Sequence, residues 1–229
     1  MFANKKIKLF WDIDGTLLKT NGYAAIPFEI AASEFLGQKV EIDRKKFSGF
    51  TDYEIAKKLI ESTGKNSDST AINKILDNYC TMLPDSLKNG VVEPVGNIDT
   101  VLRSLKSFET LGLSLGTGNC LEGGKIKLQH VGLLQYFNMK DAFFASTSSW
   151  SRELIISQAK ESLRFDQIGI VIGDSPRDIE VAKKVGLHVI GVATGAHNYN
   201  ELKALDPNSI LDEDWGLLEL TNTLERMVI

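Results

Sequence analysis

The 229-residue chain reads as an α/β protein, a Rossmann-like parallel sheet core interrupted by an inserted α-helical cap. Three observations predict this. From Glu93 onward, short apolar runs alternate with helix-period segments, the pattern of parallel strands joined by crossover helices. The stretch 19–92 carries helical spacing and no strong strand signal. Paired acids and small polar residues follow several of the apolar runs, where an open α/β sheet binds its ligands.

Taken in order, Ile7, Leu9 and Phe10 form a strand that halts at Asp12 and Asp14, carboxylates one residue apart that can point toward one crevice. Two acids this close repel unless a cation lies between them or one keeps its proton. Gly15 permits the turn that follows. Beyond Lys19, three sets of apolar residues recur at helical spacing: Phe28, Ala31, Ala32 and Phe35; Ile55 and Leu59; and Ile72, Ile75, Leu76, Tyr79 and Leu83. Gly37, Gly49, Gly64 and Pro84 punctuate them, which predicts three or four helices over 19–92.

The remainder is expected to run helix 97–110, strand 113–116, helix 121–131, strand 142–145, helix 152–163, strand 168–172, helix 179–185 and strand 188–192. The core is thus assigned to 1–18 and 93–229, and the cap to 19–92. With no internal repeat or low-complexity linker, the cap is expected to dock on the core.

A net charge of −4 gives no sequence-independent hold on nucleic acid and no basic membrane patch. No apolar run reaches membrane-spanning length, and Met1–Lys8 leads straight into the first strand, without room for a signal peptide. Cys80 and Cys120 lie far apart with no CxxC spacing, which suits a reducing compartment. The expectation is a cytoplasmic protein, monomeric or homodimeric, without nucleic-acid or membrane partners.

Three strand ends carry chemistry: Asp12/Asp14, Thr117/Asn119 and Asp174/Asp178. Each alone is accounted for by helix capping, but three in one crevice make a site. The ends near Ala145 and Ala193 carry less obvious equipment. Asp12, Asp14 and Asp174 form a hard oxygen ligand set, which favours Mg²⁺. Thr117 offers a hydroxyl, while Gly118 and Asn119 offer amides at a helix N-terminus, where an anion is stabilised. Carboxylates, metal and anion cradle together describe phosphoryl transfer to an attacking carboxylate.

Asp12-Ile13-Asp14-Gly15-Thr16-Leu17 resembles the DxDGT(L) signature of the haloacid dehalogenase-like hydrolases. Thr117 after its apolar strand resembles their second motif, and Gly173-Asp174-Ser175-Pro176-Arg177-Asp178 their fourth, GDxxxD. The insert resembles the helical cap of the phosphoglycolate phosphatase and β-phosphoglucomutase branch. The resemblance implies Asp12 as nucleophile and Mg²⁺ ligand. Asp14 would bind metal through its backbone carbonyl, while its side chain protonates the leaving oxygen and then activates water. Thr117 would hold the phosphoryl group, and Asp174 would complete the metal site with Asp178 in support. It further implies Mg²⁺-dependent hydrolysis of a small phosphorylated metabolite through an aspartyl-phosphate.

Two departures stand out. Where the third motif of the family places a Lys, this chain has Ser149-Trp150. Arg152 is the nearest replacement, while Lys125 and Lys127 are rivals read more readily as a solvated helix face. Related caps often carry Gly-Arg-Thr-Asp where this one has Gly49-Phe50-Thr51-Asp52. Phe50 would remove a cation from the substrate side and favour a leaving group less acidic than glycolate; Thr51 is either a cap-borne substrate residue or a helix N-cap. The rival activities are a sugar phosphomutase, a catalytically weak phosphate- or metal-binding regulatory module, and a 2-haloacid dehalogenase. The last needs neither Asp14 nor a metal.

Overall fold

The computed structural model of the chain describes residues 5–228, so the first four residues of the segment read as lacking a signal peptide lie outside it. Strand β1 (Lys6–Trp11) buries every side chain but its first, as a parallel strand covered on both faces must. Residues leave the core through β2 (Leu18–Lys19), form α1 (Ala25–Leu36), α2 (Asp52–Ser62) and α3 (Ser69–Lys88), and return through β3 (Glu93–Pro94). The two short strands pair antiparallel, Leu18 with Pro94 and Lys19 with Glu93. Exit and re-entry of the chain therefore lie side by side.

The core continues with α4 (Ile98–Leu105), β4 (Leu111–Cys120), α5 (Leu121–His130), β5 (Phe143–Ala145), α6 (Arg152–Glu161), β6 (Gln167–Gly173), α7 (Pro176–Val185), β7 (His188–Val192), α8 (Tyr199–Lys203), β8 (Ser209–Leu211) and α9 (Leu217–Val228). Six strands form a parallel sheet in the order β5-β4-β1-β6-β7-β8. One face packs Ile7, Leu9 and Trp11 against Leu102, Leu105, Leu220 and Leu224. On the other, Phe10 and Val171 pack against Ile155, Ile156, Ile179 and Ala182. Truncating one such buried large side chain costs roughly 3–5 kcal/mol, so these two layers fix the sheet and with it every strand end.

A third cluster holds the helical unit together, with Phe28, Ile60, Ile75, Tyr79 and Leu83 at its centre. Pro84 does not end a segment as expected: α3 runs through it to Lys88. Proline removes one hydrogen bond from a helix interior, and burial of Leu83 and Leu87 on either side outweighs that loss. Strand β8 and helices α8 and α9 were not anticipated. A three-residue edge strand has too few positions to show a period. Among the described residues no helix is long and apolar enough to cross a membrane.

The cysteines, distant in sequence, meet where α3 touches the end of β4, with their sulfurs 3.6 Å apart. Both are free; Cys80 is half-buried and Cys120 buried. The Cys80 contact and burial push the Cys120 thiol far up. Iodoacetamide should therefore alkylate Cys80 first, as read by peptide mass spectrometry over time. Faster labelling of Cys120 would contradict this packing.

Candidate active site

The sheet order explains the site. Trp11 pairs with Leu115 of β4 on one side and Ile172 of β6 on the other, so Asp12, Thr117 and Asp174, one or two positions further along, lie together at one end of the sheet. The Asp12 amide still donates to the Ile172 carbonyl at 2.9 Å, which holds Asp12 at the sheet edge. Gly15 then turns with φ 80°, and a Cβ there would collide with the Asp174 carboxylate. Above these ends opens a cleft of about 880 Å³, roofed by the helical unit. Asp12, Asp14, Asn119, Lys127, Arg152 and Asp174 all line it.

Two charge clusters share this floor. In the first, one carboxylate oxygen each from Asp12, Asp174 and Asp178 lies within 4.8 Å of the others. Arg152 enters from the start of α6, 2% exposed, and donates Nη1 to Asp12 at 3.1 Å and Nη2 to Asp178. Asp178 spends its other oxygen on Ser175, accepting from its amide at 3.1 Å and its hydroxyl at 2.7 Å to close the capping box of α7. Asp174 accepts the Thr16 hydroxyl at 3.2 Å. The resemblance put Asp174 in the metal site with Asp178 in support, and their partners differ here, Asp174 lining the cleft and Asp178 turned into the protein.

Electrostatics follow from this crowding. Burial raises the Asp12 carboxyl to about 6, although Arg152 pulls it down; Asp178 and Asp14 push it further up, and the Thr117 hydroxyl lowers it. Asp174 is held well above the usual carboxylate range by burial, then by the charges of Asp12 and Asp178. Three buried carboxylates face one guanidinium.

The second cluster is built on Asp14. Its Oδ2 receives Lys127 Nζ at 2.6 Å and Asn119 Nδ2 at 2.9 Å, and Asn119 Oδ1 accepts a second Lys127 bond at 2.6 Å. Reading Lys127 as a solvated helix face is wrong: it is only 4% exposed, whereas Lys125 sits on the outside of the same helix, paired with Glu122. On α5 the two differ by two residues, about 200° of helical rotation, so one faces in when the other faces out. Burial alone would push Lys127 down, but the charges of Asp14 and Asp52 outweigh it and the ammonium is stabilised.

The Thr117–Asn119 segment also differs from expectation. β4 continues to Cys120, so Gly118 and Asn119 end a strand and do not begin a helix. Asn119 acts through its side chain, donating to Thr117 Oγ1 at 3.0 Å as well as to Asp14. At Gly118 a Cβ would press on Phe50 and Thr51 backbone, so glycine is there to admit the cap loop. Thr51 is the N-cap of α2, buried, with a capping box to Glu54 and its hydroxyl donated to the Trp150 carbonyl at 2.5 Å. It is committed to docking and does not face substrate, because the helix start consumes its side chain.

Phe50 lines the cleft, yet its ring carries the Arg177 guanidinium 3.7 Å from its centre, and Arg177 in turn pairs with Glu54 at 2.8 Å. Lys19 and Arg44 line the cleft as well, so the missing cap arginine does not leave that side without cations. The strand end near Ala193 also does more than its sequence suggested. Thr194 donates to the Gly15 carbonyl at 2.5 Å, and Gly195 packs so closely on Asp174 that any Cβ would overlap it. Neither position carries a charge, which is why nothing in the local sequence marked it.

Residues 9–192 match the family model of the haloacid dehalogenase-like hydrolases. A crystal structure described as "a predicted phosphatase" from Clostridium acetobutylicum superposes with a TM-score of 0.72 at 25% identity, covering 97% of this chain and 99% of its own. A haloacid dehalogenase-like hydrolase from Streptococcus pneumoniae gives 0.68 at 18% identity, over 96% and 98% of the two chains. A Haemophilus somnus protein described as "a predicted phosphoglycolate phosphatase" gives 0.63 at 17%, over 95% and 97%. No curated protein matches the sequence. With the motif order, the sheet and the family match in agreement, this chain belongs to the haloacid dehalogenase-like hydrolases.

Proposed function

We propose that the protein is a Mg²⁺-dependent phosphatase that hydrolyses a small phosphomonoester through an aspartyl-phosphate on Asp12, with 19–92 acting as the cap. The observation that carries the reading is the charge imbalance around Asp12. Asp12, Asp174 and Asp178 carry three negative charges when ionised, against one from Arg152. Lys127 is occupied with Asp14. The remainder of about two charges fits one divalent cation, and an all-oxygen donor set suits Mg²⁺.

Asp12 and Asp174 would hold the ion, with the Asp14 backbone carbonyl as the ligand that the family resemblance implies. When bound, it would neutralise carboxylate and phosphate charge that otherwise repel. Arg152 fits the place of the absent third-motif lysine: it touches the nucleophile directly, and among the described residues its buried Nε has no partner. Thr117, beside Asp12, supplies a hydroxyl for the same anion. Attack of an Asp12 oxygen on phosphorus breaks the ester bond as Asp14 gives its proton to the leaving oxygen. Water then attacks phosphorus, its proton passing to Asp14, and phosphate leaves Asp12.

Purified protein should release phosphate from para-nitrophenyl phosphate with Mg²⁺ and not with excess EDTA, and Asp12→Asn should abolish turnover by at least about a thousandfold. Undiminished turnover by Asp12→Asn would sink the mechanism; no turnover on any of a phosphoester panel would favour the binding module.

Stability gives a second test, with its sign fixed by linkage. Folding raises the Asp12 carboxyl from 3.8 to about 6, so the folded state binds that proton more tightly. The metal-free protein therefore loses stability as pH climbs through that window. At pH 7 in EDTA, Asp12→Asn should melt about 2–4 °C above wild type for each ~1 kcal/mol of relieved repulsion. Mg²⁺ should then raise the wild-type melting temperature more than that of the variant. Differential scanning fluorimetry reads both, and a variant less stable than wild type in EDTA would refute the imbalance.

A further inference from the structure

Arg152 and Lys127 both enter the floor of the cleft, but they divide its carboxylates. Arg152 takes Asp12 and Asp178; Lys127 takes Asp14 and Asn119. A lysine recruited as a second cation for phosphate would be expected on the nucleophile or free in the cleft. This one is buried, with its charge already spent on Asp14 and on Asp52 of α2 nearby. Burying an ammonium is costly unless geometry repays it, and an apolar side chain would fill the same space without that cost. The contacts on Asp14 show what the ammonium does. Both the Lys127 and the Asn119 hydrogen bonds fall on Oδ2. Among the described residues no hydrogen bond reaches Oδ1, and the Asp14 side chain is still 40% exposed.

We propose that Lys127, seconded by Asn119, is a positioning residue that pins Oδ2 of Asp14 and leaves Oδ1 as the oxygen that exchanges protons with the reacting group. The inference rests on the reading of Asp14 as the acid and base of the phosphatase. In the first step the Oδ1 proton goes to the ester oxygen as its bond to phosphorus breaks and the Asp12–phosphorus bond forms. In the second, a water proton returns to Oδ1 as the water oxygen bonds phosphorus and Asp12 departs. An aspartate free to rotate would present either oxygen, or neither, and proton transfer depends on placement within hydrogen-bond reach. Lys127 touches no reacting atom in this scheme, so its removal should be felt where protonation matters and hardly elsewhere.

That difference separates positioning from phosphate binding or general packing. Para-nitrophenolate leaves with little help from an acid, whereas an alkoxide needs its proton. Values of kcat/KM, which report the first chemical step, are compared for para-nitrophenyl phosphate and for an alkyl phosphate that the wild type turns over. Lys127→Met should lower the alkyl value about ten- to a hundredfold and the aryl value less than about threefold, the same selective pattern as Asp14→Asn. Lys127→Arg, which keeps the charge, should recover part of the alkyl loss. Equal losses on both esters would overturn the proposal and make Lys127 a phosphate-binding or structural group. Should Lys127→Met fail to fold by circular dichroism, Asn119→Ala decides: a selective alkyl loss supports the positioning pair, and an unchanged aryl-to-alkyl ratio overturns it. Asp12→Asn provides the control, since turnover that survives it defeats the phosphatase reading itself, whereas equal losses with Asp12→Asn inactive defeat this inference alone.

Discussion

Too many carboxylates with too few cations is the constraint on which this structure turns. Asp12, Asp174 and Asp178 converge in a buried corner with a single guanidinium among them. Repulsion at such separations in a partly desolvated site is worth several kcal/mol, more than any one hydrogen bond there returns. The fold holds the arrangement because the strands that carry the acids are fixed by two apolar layers far larger than the site. The penalty is met by the core, and a cation bound among the three carboxylates would relieve it.

Strand order converts that constraint into geometry. β1 lies between β4 and β6, so residues separated by more than a hundred positions share one edge. The supporting contacts are short-range and economical. Thr16 steadies Asp174, Thr194 ties the Gly15 turn, and Asp178 closes its own helix cap while gripping Arg152. Arg152 pairs with Asp12 and Lys127 with Asp14, which gives two acids one residue apart different cationic partners. Groups whose surroundings differ in this way can take different roles in one reaction.

The helical unit is docked by apolar packing, with Cys120 and Ile126 of the core joining its buried cluster, and by polar contacts along one side of the cleft. Glu54 meets Arg177, Lys45 meets Glu201, Thr51 meets the Trp150 carbonyl, and Asp52 accepts the Cys120 amide at 2.8 Å. Gly118 allows the loop carrying Phe50 and Thr51 to lie directly on β4. Of these contacts, Lys45–Glu201 is an exposed ion pair, worth about 0–1 kcal/mol, whereas Thr51 and Asp52 are buried and their contacts are shielded from water.

The fold class and the acids of the site were legible in the residues. Alternating apolar runs after Glu93 set the parallel sheet, and the paired acids after the first and fourth core strands marked its working edge. Local sequence could do this because strand period and turn chemistry are local. It could not tell Lys127 from Lys125, or a substrate-facing Thr51 from a helix cap. Those choices depend on which way a helix is rotated and what lies across from it, and both are set by packing partners distant in the chain. Gly195 and Thr194 escaped for the same reason: a small neutral residue carries no signal until another strand brings an aspartate against it. The residues determined what chemistry the chain can hold; only tertiary packing decided which carboxylate meets which cation, because charge pairing depends on distance in space and not along the sequence.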